Sequence, residues 1–489
     1  MPADKTLPPR DPTSLLYANA TSLAQWLASG ELSARDLMEA CLDRVEAVNP
    51  TVNAICTQIP REQALKLAGE ADRKRASGDP LGPLHGLPIA VKDLAHTQGI
   101  RTTLGSPIFK DFVPEQDCLL VQRIKAAGAL IIGKTNTPEF GVGSHTFNPL
   151  FGVTRNPWDL SKSAGGSSGG AAAALASGML PIADGSDMGG SLRNPAAFCN
   201  VVGFRPSQGR VPAWPSPLGW QSRLGIEGPM ARNVTDCALL FSALVGADPR
   251  DPLSVDSDAE SFTAPLEYDF SNARIALTPD LGFLPVEKAV ADVCLATATV
   301  WEDLGFTVTR AHPDLRDAMN VFRVLRGSFY AHMCAGMLPD HRDQMKETLF
   351  ENIEAGMALT AADLTEADAS RTTLYQGVLQ FFANHDFLML PATQVQPFPV
   401  ENEWVQEIDG KVLDDYLEWM SICCVISVLG LPAISVPCGF TQGGLPVGLQ
   451  IVGRPGADLD VLRVAYGLES ALDLVSKRPS LLEQGLDLD

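Results

Sequence analysis

The sequence lacks Cys-x-x-Cys pairs, which mark several classes of metal and redox sites. Ten cysteines are spread over 489 residues, and none of them forms a Cys-x-x-Cys pair. Zinc ribbons and thioredoxin-like redox sites are usually recognised by such pairs. Apart from the adjacent Cys423 and Cys424 the cysteines are scattered singly, which is typical of buried thiols in a reducing compartment, so we expect a cytoplasmic protein.

Hydrophobic runs long enough for a membrane are also missing. Residues 1–10 have no apolar centre, so they do not look like a signal peptide. The longest uncharged tract, residues 420–452, is interrupted by glycines and prolines. It therefore predicts core strands and turns and no membrane helix, and we expect no membrane partner.

Basic residues are few relative to acidic ones. The chain has 37 lysines and arginines against 58 acidic residues, for a net charge of −21, and no basic run offsets that balance. Nucleic-acid-binding proteins need the opposite charge, so we expect no nucleic-acid partner. With 45% hydrophobic residues, a chain of this length can bury a large core without disulfides.

Helical patterns and short buried-strand patterns alternate along most of the chain, which predicts an α/β protein with a largely parallel or mixed sheet. Clear strand signals are Pro88–Val91, Arg274–Leu277 and Phe387–Leu390. A helix starting near Ser33 is expected to stop at Asn49-Pro50. We expect residues 1–20 to be a loose arm and residues 21–489 to be one domain.

Long helices rich in Met, Phe and Leu are predicted from about residue 318 to 385. This segment could be an inserted helical cap over one face of the domain. Plain outer helices would give the same pattern.

Two glycine-serine turns stand out, at Gly165–Gly170 and Gly185–Arg193. Glycines gather where the backbone takes positive φ or approaches another group closely. Two such turns, each presenting serine, suggest a hydrolytic site built largely from backbone.

The first turn allows several interpretations. A phosphate-binding loop would need a lysine that is absent here. Ser167 matches the Gly-x-Ser-x-Gly nucleophile elbow, but an elbow follows a buried strand, whereas residues 155–163 are polar and include Pro157. A plain helix-capping turn would leave the second turn unexplained.

Taken together, the two turns resemble the amidase signature family of serine hydrolases. The family has a Gly-Gly-Ser-Ser-Gly-Gly segment and then a Gly-Ser-Asp-x-Gly-Gly-Ser-x-Arg segment at the spacing seen here. Other blocks that match are Val91–Asp93, Gly133–Phe140, Gly228–Arg232 and Gly430–Gly439. The resemblance covers roughly residues 20 to 475 and implies a large single-domain α/β/α sandwich with a mixed, mostly parallel central sheet surrounded by helices.

The resemblance implies a catalytic role for three residues. Ser191 would be the nucleophile, Ser167 a bridging serine preceded by a cis peptide, and Lys92 the base. A lysine can accept a proton only when neutral, which requires burial. Without the resemblance, the simpler interpretation is that Lys92 extends its ammonium from a strand end to water.

The second turn would also supply the oxyanion hole, because preorganised backbone donors stabilise a tetrahedral intermediate. The expected donors are the N–H groups of Met188, Gly189, Gly190 and Ser191. Asp187 and Arg193 are expected to brace this turn and not to react.

By position in the family, Phe140, Gly141 and Val142 would lie beside the acyl pocket. Trp214, Trp220 and the helix around Met319 to Met337 are candidate pocket walls. Ordinary packing would explain each of these residues as well.

The resemblance implies an amide-bond hydrolase that forms an acyl-enzyme with a small-molecule carboxamide, with esters or carbamates as side substrates. An apolar or aromatic acyl or amine part is expected. No metal or organic cofactor is implied, and a homodimer is left open. One alternative is the glutaminase subunit of a tRNA-dependent amidotransferase, although Asn194 stands where that branch usually has Gln. The other alternative is a catalytically silent binding homologue, which the intact Lys92, Ser167 and Ser191 disfavour.

Overall fold

The computed structural model describes residues 7–221 and 224–480. Its helices are α1 Pro12–Leu16, α2 Ala20–Ser29, α3 Ala34–Val52, α4 Arg61–Ser77, α5 Leu119–Ala126, α6 Gly169–Ala176, α7 Arg193–Cys199, α8 Val234–Leu244, α9 Lys288–Asp303, α10 Ala318–Cys334, α11 Leu338–His341, α12 Glu347–Met357, α13 Ala361–Phe382, α14 Ser421–Ser427 and α15 Asp458–Leu472.

The strands follow in the same chain order. They are β1 Ile55–Gln58, β2 Pro88–Lys92, β3 Leu130–Thr135, β4 Phe147–Asn148, β5 Gly152–Val153, β6 Arg155–Asn156, β7 Asp159–Ser163, β8 Ile182–Asp187, β9 Val202–Arg205, β10 Ile226–Ala231, β11 Arg274–Leu277, β12 Thr307–Thr309, β13 Phe387–Pro391, β14 Glu407–Ile408, β15 Lys411–Val412, β16 Ala433–Phe440 and β17 Pro446–Gly453.

An eight-stranded mixed sheet, ordered β12-β11-β13-β17-β16-β9-β10-β8, forms the centre of the molecule. This confirms the predicted α/β class with a mixed sheet flanked by helices. The expectation of mostly parallel pairing is wrong, because only the two pairs made by β11 are parallel and the other pairs are antiparallel. For β16 and β17 the reason is the short turn at 441–445, since a short hairpin turn reverses the chain, whereas pairs such as β13 with β17 join strands that are distant in the chain.

A three-stranded sheet, ordered β1-β3-β2, brings the first third of the chain to the central sheet. Every residue of β2 is buried, as its apolar run predicts. Strand β2 lies against β8, where the Lys92 backbone N–H donates to Asp184 Oδ1 at 3.0 Å. The end of β2 is thereby placed beside both glycine-serine turns.

Helix α6 follows the first turn and consists almost entirely of glycine and alanine. All of its residues are buried. A Cβ added at Gly170 would lie 2.5 Å from the Ala54 carbonyl oxygen, so only a glycine fits there. The small side chains let the helix lie deep among the strands, which holds the first turn in the core.

The segment predicted to be helical after residue 318 is helical, with α10, α12 and α13 as its long members. Helices α10 and α12 cross with their backbones in near contact at Gly327 and Gly356, since a Cβ added at Gly356 would collide with the Gly327 carbonyl oxygen. Helix α10 also packs against α14.

Two N-terminal expectations need correction or completion. Helix α3 continues past Pro50 to Val52, because a proline in the last turn removes only one intrahelical hydrogen bond and Asn53, with φ 56°, ends the helix. Within the predicted arm, α1 buries Leu15 and Leu16, while residues 1–6 lie outside the described residues.

Candidate active site

Lys92, the last residue of β2, is the buried cation at the centre of the site. Its side chain is 1% exposed. Its Nζ lies 2.8 Å from Ser167 Oγ, 2.9 Å from Ser168 Oγ and 3.0 Å from Ser186 Oγ. The alternative of a strand-end ammonium reaching water is therefore wrong for this lysine.

Burial changes the proton affinity of Lys92. Loss of solvation lowers its pKa from 10.5 to about 7, while the nearby carboxylates of Asp184, Asp187 and Glu227 raise it in part. A lysine with such a pKa is substantially neutral near neutral pH and can accept a proton.

Ser167 follows a cis Gly166–Ser167 peptide bond, as the resemblance implies. Its hydroxyl faces Lys92 on one side and Gly141 on the other, where an added Cβ would lie 3.6 Å from Ser167 Oγ. Gly141, from the stretch expected beside the acyl pocket, therefore lies next to Ser167.

Ser191 lies in the turn between β8 and α7 and is 6% exposed. Its backbone oxygen accepts a hydrogen bond from the Ser168 N–H at 3.2 Å, which ties the second turn to the first. The Ser191 hydroxyl donates a hydrogen bond to no residue in the described ranges, so it is not held by a structural contact.

Asp187 braces this turn, as expected, together with two buried arginines. Its carboxylate accepts from Arg193 Nη2 at 2.8 Å and from Arg193 Nε at 2.9 Å, and it lies 3.4 Å from Arg205 Nη1. Burial alone would raise the pKa of Asp187, but the two guanidinium groups hold it well below its usual range. The carboxylate is therefore a fixed negative charge at the base of the turn.

The backbone N–H of Gly190, one of the four expected oxyanion donors, is not available to an oxyanion. Its N–H donates to Asp187 Oδ1 at 2.8 Å, so it is already used to shape the turn. The N–H groups of Gly189 and Ser191 donate to no residue in the described ranges. A close turn needs an internal hydrogen bond to hold its shape, and here Gly190 supplies it.

The predicted acyl-pocket stretch lies beside the first turn. Phe140 adopts a left-handed conformation with φ 48°, and its carbonyl accepts a hydrogen bond from Tyr330 Oη at 3.2 Å. Val142 is fully buried, and its carbonyl accepts from Lys346 Nζ. Of these three residues Gly141 lies closest to the first turn, beside Ser167 Oγ.

The two predicted tryptophan walls lie elsewhere. Trp220 is 83% exposed. Trp214 packs under Arg250, whose guanidinium carbon lies 4.7 Å from the ring centre. Within the described ranges, neither ring lines the cavity next to the second turn. Aromatic residues in a loop gave no directional signal, so their orientation was not predictable.

A cavity of about 450 Å³ begins at Met188, in the second turn. Apolar walls come from Met188, Leu224, Leu325 and Phe329. Polar side chains on its wall include Gln221, Thr365, Asp368 and Arg371. The cavity has room for a small organic molecule with an apolar part.

Three contacts of Lys92 were missed from the sequence. Ser168 and Ser186 hold its ammonium, and Asp184 accepts from its backbone. The signal was present, because each of these residues lies inside one of the two glycine-serine turns or directly before it.

The chain is similar to known proteins over almost its whole length. A family model described as amidase matches residues 36–462. An acylamidase of Rhodococcus erythropolis is 37% identical, covering 96% of this chain and 98% of the relative. The A subunit of the glutamyl-tRNA(Gln) amidotransferase of Chloroflexus aurantiacus is 35% identical, covering 96% of this chain and 100% of the relative. A bacterial aryl acylamidase of the amidase signature family is 30% identical in sequence. Its crystal structure matches with a TM-score of 0.88, covering 95% of this chain and 99% of that protein.

Proposed function

The chain belongs to the amidase signature family and is an amide-hydrolysing enzyme, and from that premise we propose that it cleaves small-molecule carboxamides through a Ser-Ser-Lys relay. The observation that carries the proposal is the 2.8 Å contact between the buried Lys92 Nζ and Ser167 Oγ. A serine hydroxyl becomes a good nucleophile only when a neighbouring group takes its proton.

In this mechanism Ser191 Oγ attacks the substrate carbonyl carbon. Its proton passes to Ser167, whose own proton passes to the neutral Lys92. The N–H groups of Gly189 and Ser191 donate to the developing oxyanion, with Met188 as a further donor. The C–N bond then breaks as the relay returns a proton to the leaving amine, and water hydrolyses the resulting ester on Ser191.

The apolar walls of the Met188 cavity support an apolar or aromatic acyl or amine part. The similarity to acylamidases supports the same substrate type. Esters and carbamates fit as side substrates, because esters form the same acyl-enzyme, carbamates form the analogous carbamoyl-enzyme, and an alcohol leaves with less assistance than an amine.

The proposal extends to the layout and location of the protein. Residues 21–489 would act as one domain, with the helical segment 318–385 capping the site, since Leu325 and Phe329 of α10 line the cavity. All ten cysteines are free thiols, which supports a cytoplasmic location. Every helix in the described ranges falls short of what a bilayer crossing requires.

Labelling of the nucleophile tests the proposal. A fluorophosphonate probe should modify Ser191, and Ser191→Ala should lose both labelling and hydrolysis of acyl anilides. The matched control is Ser29→Ala, on an exposed helix end, which should keep both. A wild-type protein that neither labels nor cleaves any anilide, amide or ester would instead be a silent binding homologue.

A glutaminase subunit is the second candidate, favoured by the full-length similarity to the A subunit of the amidotransferase. Glutamine hydrolysis by the isolated chain, and again with the other amidotransferase subunits added, separates the two. Anilide cleavage that exceeds glutamine hydrolysis under both conditions supports the free-standing amidase.

A further inference from the structure

One face of helix α10 joins the two parts of the site. Phe322, Arg326 and Tyr330 are spaced four residues apart, which places them on the same face. Phe322 packs against the second turn, since a Cβ added at Gly189 would lie 2.9 Å from its Cζ. Tyr330 donates to the Phe140 carbonyl at 3.2 Å. Arg326 therefore sits between the turn that carries Ser191 and the predicted acyl-pocket stretch.

Arg326 is 2% exposed and has only neutral partners. Its Nε donates to Asn352 Oδ1 at 3.0 Å, and its Nη2 donates to Tyr416 Oη at 3.0 Å. The Tyr330 ring centre lies 4.8 Å from its guanidinium carbon. Among the described residues no carboxylate forms an ion pair with it. A buried cation without a counter-charge is costly, so a site that keeps one is prepared for an anion.

The free end of the guanidinium points at Met188. Arg326 Nη1 has the sulfur of Met188 as its partner, at 3.0 Å. A thioether is a weak acceptor, whereas Nη1 carries two strong donors. The same Met188 side chain forms a wall of the 450 Å³ cavity. It therefore separates a poorly satisfied cation from the space where substrate would bind.

Methionine is suited to move aside from such a position, because its side chain has three rotatable bonds and adapts to irregular spaces. A carboxylate entering from the cavity would replace the sulfur with two charged oxygens. Arginine binds carboxylates with paired, charge-assisted hydrogen bonds.

We propose that Arg326 is a specificity-determining residue that binds a carboxylate at the far end of the substrate's acyl part, with Met188 moving aside to admit it. This rests on the proposed function. The preferred substrates are then N-substituted amides of dicarboxylic acids with one free carboxylate, and the Tyr330–Phe140 contact places that subsite on the acyl side.

A matched pair of substrates tests this subsite. Succinic acid monoanilide and butyranilide have acyl chains of the same length and differ in the terminal carboxylate. For the wild-type protein we expect kcat/KM to be about 10- to 100-fold higher for the monoanilide, the effect of hydrogen bonds to a charged group. Arg326→Met should abolish the preference by slowing the monoanilide alone, and Arg326→Lys should keep part of it.

Two further variants sharpen the test. Met188→Leu removes the competing sulfur and should keep or increase the preference. Arg316→Met removes an exposed arginine just before the same helix, with 74% side-chain exposure, and should leave the preference unchanged.

Equal kcat/KM values for the two anilides in the wild-type protein would overturn the subsite, and this result does not depend on any variant folding. The subsite would also be overturned if Arg326→Met lowered kcat/KM equally for both anilides, so that the ratio between them stayed as in the wild-type protein. In either case labelling of Ser191 and cleavage of butyranilide would leave the proposed hydrolase function intact. Absence of both would mean that the proposed function itself had failed.

Discussion

Lys92 and Arg326 are buried cations whose environments have opposite consequences. Burial lowers the pKa of Lys92 to about 7, so this lysine can exchange a proton during a reaction. An arginine does not lose its proton in proteins, so Arg326 stays charged and can only attract. An arginine at position 92 could not exchange the proton, and a buried lysine at position 326 could lose its charge.

The first prediction concerns the pH dependence of the reaction. In the proposed relay neutral Lys92 is the base, so kcat/KM should rise with pH and level off above an apparent pKa of about 7. Lys92→Met should lower kcat by about 10²–10⁴, the usual range for a general base. The measurement is a pH–rate profile with a neutral anilide.

Lys92→Arg is the control for charge, because it keeps a cation that cannot deprotonate. It should be as inactive as Lys92→Met at every pH. Activity that is flat through neutral pH, or that persists in Lys92→Arg, would contradict the role of Lys92 as base.

At the scale of single residues, much of the site could be predicted from the sequence. Lys92, Ser167 and Ser191 were selected by the resemblance of their motifs to the amidase signature family, since Lys92 read alone could have extended to water. The role of Gly190 could not be predicted, because whether its amide faces Asp187 or the substrate depends on the turn's dihedral angles. Trp220 was misplaced because an aromatic residue in a loop carries no periodicity.

At the scale of elements, the approach of α10 to α12 determines how the cap is built. Their backbones come together at Gly327 and Gly356, where no side chain separates them. The same helix α10 carries Phe322 and Arg326 to the second turn. The position of α12 therefore affects the site through α10.

The second prediction uses this crossing. Gly356→Ala should destabilise the protein by about 1–3 kcal/mol, the usual cost of overpacking, because the new Cβ would collide with the Gly327 carbonyl. Urea unfolding measures the change in free energy. Gly377→Ala in α13 is the matched control, since its Cβ would meet nothing within 4 Å. Equal unfolding free energies of the two variants would contradict the close crossing.

Elements were easier to predict than their pairing. The strand at Arg274–Leu277 has the predicted bounds, because a short run of apolar residues between turns is a local signal. The antiparallel order of the central sheet is not local, since it depends on which strands meet across long stretches of chain. Helix α13 was recognisable as a helix, but its place at the cavity was not.

At the scale of the whole molecule, one partly buried carboxyl group links helix α15 to the middle of the chain. Glu469 of α15 accepts a hydrogen bond from the Val234 N–H at 2.8 Å, at the start of α8. Burial raises its pKa from 4.5 to about 8; the Val234 N–H lowers it in part, and the neighbouring carboxylate of Asp236 adds to the rise. Near neutral pH the folded protein therefore holds a proton there that the unfolded chain releases.

The third prediction follows from the sign of that shift. A carboxyl group whose pKa is raised by folding contributes stability that is complete below about pH 4.5 and is lost as the pH rises through about 8. Glu469→Gln, which stays neutral, should unfold at a higher urea concentration than wild type above about pH 8 and at a similar one near pH 4.5. Glu302→Gln, at an exposed position of α9, should match wild type at both pH values.

The bracing of the second turn has a consequence for how the protein is made. Arg193 contacts Gln450 on β17 and lies 2.7 Å from Ser427 Oγ on α14. Both partners are translated long after the two serines have left the ribosome. A nascent chain that ends before β17 therefore carries Ser191 without the support that shapes its turn, and we expect hydrolysis to begin only after β17 has been made.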